Sequence, residues 1–315
     1  MAAESIPRLD SSIELYRRIL PLCRLKHGDI WEDPEGRHRV GTIDAGSTEE
    51  VHRLFGGERA DLMLNDPPYN ITVGGKKTAA LSENPLEEYL RFSAGWVENA
   101  LAVMKPDSHF YVWLGADQNR GFQPLPDFML LMRRFPQLKT RSFITLRNQR
   151  GYGTQKNWMA VRQELLYYSM GNPPFRVGYT DIPKVLKGYY KHVGGKRTEN
   201  IERSRSETIR PGNVWLDIQQ VFYRMRENVP GAFAQKPLKA IERILHSADS
   251  PELVGDLFSH SGTTLLAAEK MGLRCFTSDI DPVFAELTIR RLERYRTTGR
   301  EGWQWENPFP ELSEI

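Results

Sequence analysis

The chain has 315 residues, 40% of them apolar and 26% charged, with a formal net charge of +3; these proportions are ordinary for a globular protein and allow one large domain or two small ones. It contains no run of about 18 apolar residues, which excludes a membrane-spanning helix, and its first residues, MAAESIPRLDSS, lack the basic start and apolar core of a secretory signal. Its two cysteines, Cys23 and Cys275, are far apart and without metal-ligand spacing, so no metal site is expected and both fit reduced thiols in a cytoplasmic protein.

Residues 11–22 have the spacing of a short amphipathic helix within an N-terminal extension. Asp61-Leu62-Met63-Leu64 reads as a buried strand ended by Pro67 and Pro68, which fix φ and remove two backbone donors. The chain thus leaves the sheet as a stiff loop, a good place to hold chemistry still. Asn84-Pro85 starts a helix, with Asn as N-cap and Glu87 and Glu88 near the positive end of its dipole. Leu86, Leu90, Val97, Leu101 and Met104 mark its apolar face. HFYVWLG (109–115), FITLR (143–147) and QELLYYSM (163–170) read as strands. Residues 171–215 carry Gly, Pro and charge without sustained periodicity, as an inserted recognition segment or flexible loop would. Regularity returns with a helix at 236–248, a strand at 253–258, a helix at 263–271 capped by Gly272, a strand at 274–279, and a last helix from Asp281-Pro282 to about Arg296. This βαβ succession predicts an α/β fold with a doubly wound, mostly parallel sheet.

Positive charge is clustered. Arg141, Arg147, Arg150, Lys156 and Arg162 occur with no acidic residue between them, and residues 176–226 hold eleven Lys/Arg against five Asp/Glu. Each run alone could be a solvated face. Two runs interleaved with Tyr152, Trp158, Tyr189 and Tyr190 favour a polyanion groove.

The turn DLFSHSGTT (256–264) joins a strand to a helix. Gly262 and the hydroxyls of Ser261, Thr263 and Thr264 sit where a helix N-terminus opens toward a ligand. Asp279 ends the next strand, where an acidic side chain can accept hydrogen bonds from a ribose. A well-capped helix would explain the turn alone; with Asp279 so placed, a nucleoside cofactor is the better reading. The GxxxxGK[ST] pattern of a P-loop is missing.

DPPYN, from Asp66, resembles the catalytic loop of S-adenosylmethionine-dependent DNA amino-methyltransferases, which methylate exocyclic nitrogens of adenine or cytosine. DLFSHSGTT resembles their cofactor turn, usually DPFxGSGTT, and AQKP (234–237) their TQKP stretch. The order, catalytic loop first and cofactor turn last, resembles the β class and differs from the protein-glutamine methyltransferases, whose Asn-Pro-Pro-Tyr loop follows their cofactor turn. The resemblance covers residues 40–297. It implies a Rossmann-like methyltransferase fold with an inserted target-recognition region, S-adenosyl-L-methionine as cofactor, DNA as partner, and no metal. It assigns Asp66, Pro67, Pro68 and Tyr69 to catalysis. To the cofactor it assigns Asp44, Gln235, Lys236, Pro237, Asp256, Phe258, His260, Ser261, Gly262, Thr263, Thr264 and Asp279. Asp44 matches the aspartate of a Gly-Asp pair whose glycine is Ile43 here, and Gln163-Glu164 stands where the family has His-Glu. Arg150, Lys156, Arg162, Lys196 and Arg197 are the expected DNA contacts. The expected organisation is an extension (1–40), a catalytic half (41–170), a target-recognition region (171–230), a cofactor half (231–300) and a tail (301–315). Asp at the first loop position favours adenine-N6 over cytosine-N4 methylation; an RNA methyltransferase or an inactive nucleic-acid-binding relative are the rivals. A homodimer and a restriction-enzyme partner are left open, with no nuclease motif in this chain. At His260 the family has glycine; a right-handed backbone is expected there, the alternative being a distorted turn with weak or lost cofactor binding.

Overall fold

A computed structural model describes residues 9, 12–70, 84–152, 158–184, 190–199 and 206–314. The strands are β1 (Ile30–Glu32), β2 (His38–Thr42), β3 (Ala60–Asn65), β4 (Met104–Leu114), β5 (Leu138–Tyr152), β6 (Ala160–Met170), β7 (Tyr190–Val193), β8 (Lys196–Glu199), β9 (Val214–Trp215), β10 (Leu253–Asp256) and β11 (Arg274–Asp279). The α-helices are α1 (Ile13–Ile19), α2 (Thr48–Phe55), α3 (Leu86–Ala102), α4 (Leu125–Met132), α5 (Leu238–Ser247), α6 (Thr263–Lys270) and α7 (Pro282–Thr298).

Nine strands form one sheet in the order β1-β2-β11-β10-β3-β4-β6-β5-β9, and β7 and β8 form a separate hairpin. Strands β2, β11, β10, β3 and β4 are mutually parallel. Strand β6 runs against both β4 and β5, and β1 against β2. Side chains alternate across β4: Tyr111 and Trp113 join the cluster beneath α5, α6 and α7, while Phe110, Val112 and Leu114 join the one beneath α2, α3 and α4. Two apolar layers therefore enclose the sheet, as a doubly wound fold requires.

From β3 the chain passes through α3 on one face to β4. From β10 it passes through α6 on the other face to β11, moving the opposite way across the sheet. The reversal falls between β3 and β10, the position where such sheets bind ligands beyond their carboxyl ends. Gly255 allows this junction to close: a Cβ there would collide with Met63 Sδ and the Phe55 ring.

Several expectations change. Asn84 does not cap α3; its backbone N–H and C=O bond the Asn70 side chain at 3.0 Å, and Pro85 occupies the cap position. Met104 begins β4 rather than ending the helix. The sheet includes β2, so it starts before residue 41. Trp303 and Phe309 near the C-terminus are buried with Leu9, Ile19 and Phe284 in a third apolar cluster against α7. No helix of the described residues is long and apolar enough to cross a membrane.

Candidate active site

The turn after β10 is built by carboxylates accepting backbone N–H groups. Asp256, buried at the strand's end, accepts from Phe258 N at 2.9 Å and from the Thr264 side chain. Leu257 N donates to Asn65 Oδ1 at 3.2 Å, tying the turn to β3. Asp279 accepts from His260 N at 2.9 Å and from Asp281 N at 3.0 Å. Gly262 has φ +70°, and a Cβ there would lie 2.9 Å from Thr288 Cα, so both its conformation and its packing demand glycine.

His260 corrects the sequence expectation. Its φ is +43°, left-handed, not right-handed. The turn must aim this N–H at Asp279, and the histidine accepts the unfavourable dihedral to do so. Its imidazole packs on Phe284, with ring centroids 4.7 Å apart.

The Arg291 side chain, fully buried, holds the turn from behind. Its guanidinium donates to Ser261 O, Thr263 Oγ1, Glu227 O and Glu301 O, at 2.7, 2.9, 3.1 and 2.7 Å. Burial pulls its pKa down to about 10, so it remains charged at neutral pH.

The loop after β3 is equally constrained. Tyr69 Oη donates to Asp66 Oδ1 at 2.7 Å, and Tyr89 Oη donates to Pro68 O at 2.9 Å. Burial, reinforced by the Asp66 charge, raises the Tyr69 pKa well above its ordinary value, so the hydroxyl remains a donor. Lys236 Nζ donates to Asp66 Oδ2 at 2.6 Å.

The two loops meet. Asp66, Lys236, Asp256, Phe258, His260, Ser261, Thr263 and Thr264 line one cavity with Leu64, Trp113, Ile241 and Ser259. Burial first, then the neighbouring carboxylates, pushes Asp256 up to about 7; burial raises Asp279 to about 7. Asp279 does not line the cavity but holds His260, which does; a cavity that penalises Asp256 electrostatically is suited to a cation, and a sulfonium cofactor with an α-ammonium group is one.

Other expected residues are placed differently. Gln235 spends its side chain internally, accepting from Val229 N at 3.0 Å and donating to Glu227 O at 2.7 Å. Pro237 caps α5. Asp44 lies just beyond β2 and closes a turn by accepting from Gly46 N at 2.8 Å. Arg162 is paired with Glu164 at 2.5 Å. Lys196 and Arg197 begin β8 and are exposed. Lys156 and the Arg150 side chain lie outside the described residues. Sequence reasoning missed Asn65, Trp113 and Arg291. Trp113 was signalled by alternation with Tyr111 along β4, and Asn65 by a polar side chain closing an apolar strand; a lone arginine in a basic helix gave no signal.

A sequence profile of the DNA methylase family of N6 and N4 amino-methyltransferases matches residues 60–290. The chain is 26% identical to the Type II methyltransferase M.HpaI of Haemophilus parainfluenzae over 235 residues, 74% of this chain and 68% of that one. It is also 26% identical to the DNA adenine methyltransferase YhdJ of Escherichia coli strain K12 over 266 residues, 80% and 82% of the two chains. Among solved structures, the cytosine-N4-specific PvuII DNA methyltransferase matches with a TM-score of 0.56 at 15% identity, over 83% of this chain and 89% of that one. The profile spans most of the chain and both loops that form the cavity, and the chain accordingly belongs to the S-adenosylmethionine-dependent DNA amino-methyltransferases of the N6/N4 DNA methylase family.

Proposed function

We propose that this chain methylates the exocyclic N6 of adenine at a specific DNA sequence, with the target base turned out of the duplex to reach Asp66. The observation that carries this reading is the meeting of the Asp66 loop and the Asp256–Thr264 turn on one cavity at the sheet's reversal. An exocyclic amine is a poor nucleophile because its lone pair is delocalised into the ring. Asp66 and the carbonyl of Pro67 accept its two N–H groups, pull the nitrogen toward sp³ and aim the lone pair. The Tyr69 and Tyr89 hydroxyls hold that loop rigid, so positioning and electrostatics supply the catalysis. S-adenosylmethionine supplies the methyl group as an activated sulfonium. Asp256 and Asp279 would hold it, Asp279 through ribose hydroxyls and both through their charge. Asp66 is also the nearest carboxylate to receive the proton that the amine loses.

Adenine is favoured by Asp at the first loop position and by the likeness to YhdJ, named a DNA adenine methyltransferase. The likeness to the cytosine-N4-specific PvuII enzyme concerns the fold and does not choose the base. Residues 171–230, with the exposed β7–β8 hairpin, are assigned to target recognition, residues 41–170 to the catalytic half and 231–300 to the cofactor half. Sequencing modified bases in DNA from cells expressing the protein tests this reading. N6-methyladenine in one recurrent sequence is expected; N4-methylcytosine there would overturn the choice of base, and unmodified DNA the function.

A further inference from the structure

Lys236 was expected at the cofactor, yet its ammonium lies on the catalytic loop. Both Asp66 oxygens are engaged: Oδ1 by the Tyr69 hydroxyl and Oδ2 by Lys236 Nζ at 2.6 Å. The same ammonium is 5.2 Å from the Tyr69 ring centroid and 5.6 Å from that of Trp113. It therefore takes the acceptor that a target amine needs and also covers the aromatic ring on which a base would stack.

Space makes the same demand. The cavity measures about 20 Å³, near what one water requires, so a purine or pyrimidine enters only if a lining group moves. Other polar lining groups are fixed: Asp256 by Phe258 N, and the Ser261 carbonyl and Thr263 hydroxyl by Arg291. Lys236 has a flexible four-carbon stem. Its other hydrogen bond is a 3.5 Å contact to Ala234 O, and Pro237 at the start of α5 fixes the backbone beside it.

We propose that Lys236 is a displaceable plug, a positioning residue whose ammonium holds the place of the target amino group and withdraws when the base enters. This rests on the function proposed above, since it requires Asp66 to receive the target amine. The plug keeps the Asp66 carboxylate oriented and screens the site from amines that cannot displace it. Its cost is a lower apparent affinity for the base, reduced by the fraction of molecules in which Asp66 is free.

The test compares wild type, Lys236→Met and Lys236→Arg. Each is titrated, with S-adenosylhomocysteine present, with DNA carrying the target base and with the same DNA abasic at that position, which need not displace the lysine. Methionine keeps the stem and deletes the charge. Its preference for the base-bearing DNA over the abasic DNA should exceed that of wild type by about tenfold, the gain if Asp66 is free in a tenth of wild-type molecules. Arginine, still able to reach Asp66, should restore the wild-type preference. Should the methionine variant fail to fold, Lys236→Gln gives the same comparison. An unchanged or smaller preference in a folded variant that lacks the charge overturns the plug while leaving the proposed function standing. A loss of S-adenosylmethionine affinity beyond tenfold overturns it in favour of a cofactor ligand. Failure of wild type to methylate any DNA overturns the plug and the function together.

Discussion

Asp256, which lines the cavity, and Asp279, which holds the lining residue His260, are the carboxylates nearest to sensing what occupies it. Both have pKa values raised to about 7, chiefly by burial. A carboxyl raised in this way favours the folded state while protonated. That contribution is complete below the unfolded value near 4 and is lost as pH climbs through about 7. A bound cation favours the ionised form, so cofactor binding should release protons below pH 7. Affinity for S-adenosylmethionine is expected to rise between pH 5.5 and 7.5, by up to about tenfold per unit for each linked proton. S-adenosylhomocysteine, uncharged at sulfur, should show a shallower slope. Calorimetric titration in buffers of different ionisation enthalpy measures both, and identical slopes would mean that these carboxyls do not sense the sulfonium. At this level the sequence was most legible where a polar residue punctuates an apolar run, as Asp66, Asp256 and Asp279 do. It was least legible where the side chain's direction decides its role. Gln235 and Lys236 are neighbours in one motif, yet one is a buried staple and the other reaches Asp66.

The turn between β10 and α6 shows how an element carries strain for its purpose. The left-handed φ of His260 is the conformation that glycine adopts freely. His260→Gly should change stability by less than about 1 kcal/mol, because relief of the dihedral offsets the lost contact with Phe284 and the added chain entropy. Cofactor affinity should stay within about tenfold. His260→Val should cost about 2 kcal/mol, since a β-branched residue tolerates positive φ poorly. Denaturant unfolding separates the two variants, and a valine variant as stable as the glycine one would refute the strain. Behind the turn, Arg291→Met would leave the Ser261 and Glu301 carbonyls unpaired, Glu227 O keeping its bond from Gln235, and should cost at least about 2 kcal/mol. The core strands and last two helices were readable from periodicity. The β4 start was not, because Pro106 interrupts the strand pattern ahead of its apolar run. Strand β2 begins with His38 and Arg39, and His38 becomes a core residue through two partners distant in sequence: Glu269 accepts from Nε2 at 2.9 Å and Cys275 N donates to Nδ1 at 3.1 Å. Helix α4 is almost uniformly apolar and so carries no facial pattern.

For the whole molecule, function requires that a polyanion be brought over the carboxyl ends of β3 and β10. The net charge of +3 is too small to do this alone, and on the proposed function the clustered cations of residues 141–226 are expected to do it. DNA affinity should fall steeply with salt, and replacing Lys196 and Arg197 by Ala should flatten the log–log slope by up to about 2 if both contact phosphate. An unchanged slope would place this pair off the DNA.

The most direct test of the account follows labelled methyl groups from S-adenosylmethionine into DNA, with purified wild type and Asp66→Ala, and identifies the labelled nucleoside after digestion. Wild type should yield N6-methyldeoxyadenosine. Asp66→Ala should be slower by at least about 100-fold, the scale of losing one oriented hydrogen-bonding group in a transition state. It should still bind cofactor, because the turn after β10 is intact. Near-normal transfer by Asp66→Ala, or none by a wild type that binds both cofactor and DNA, would contradict the account.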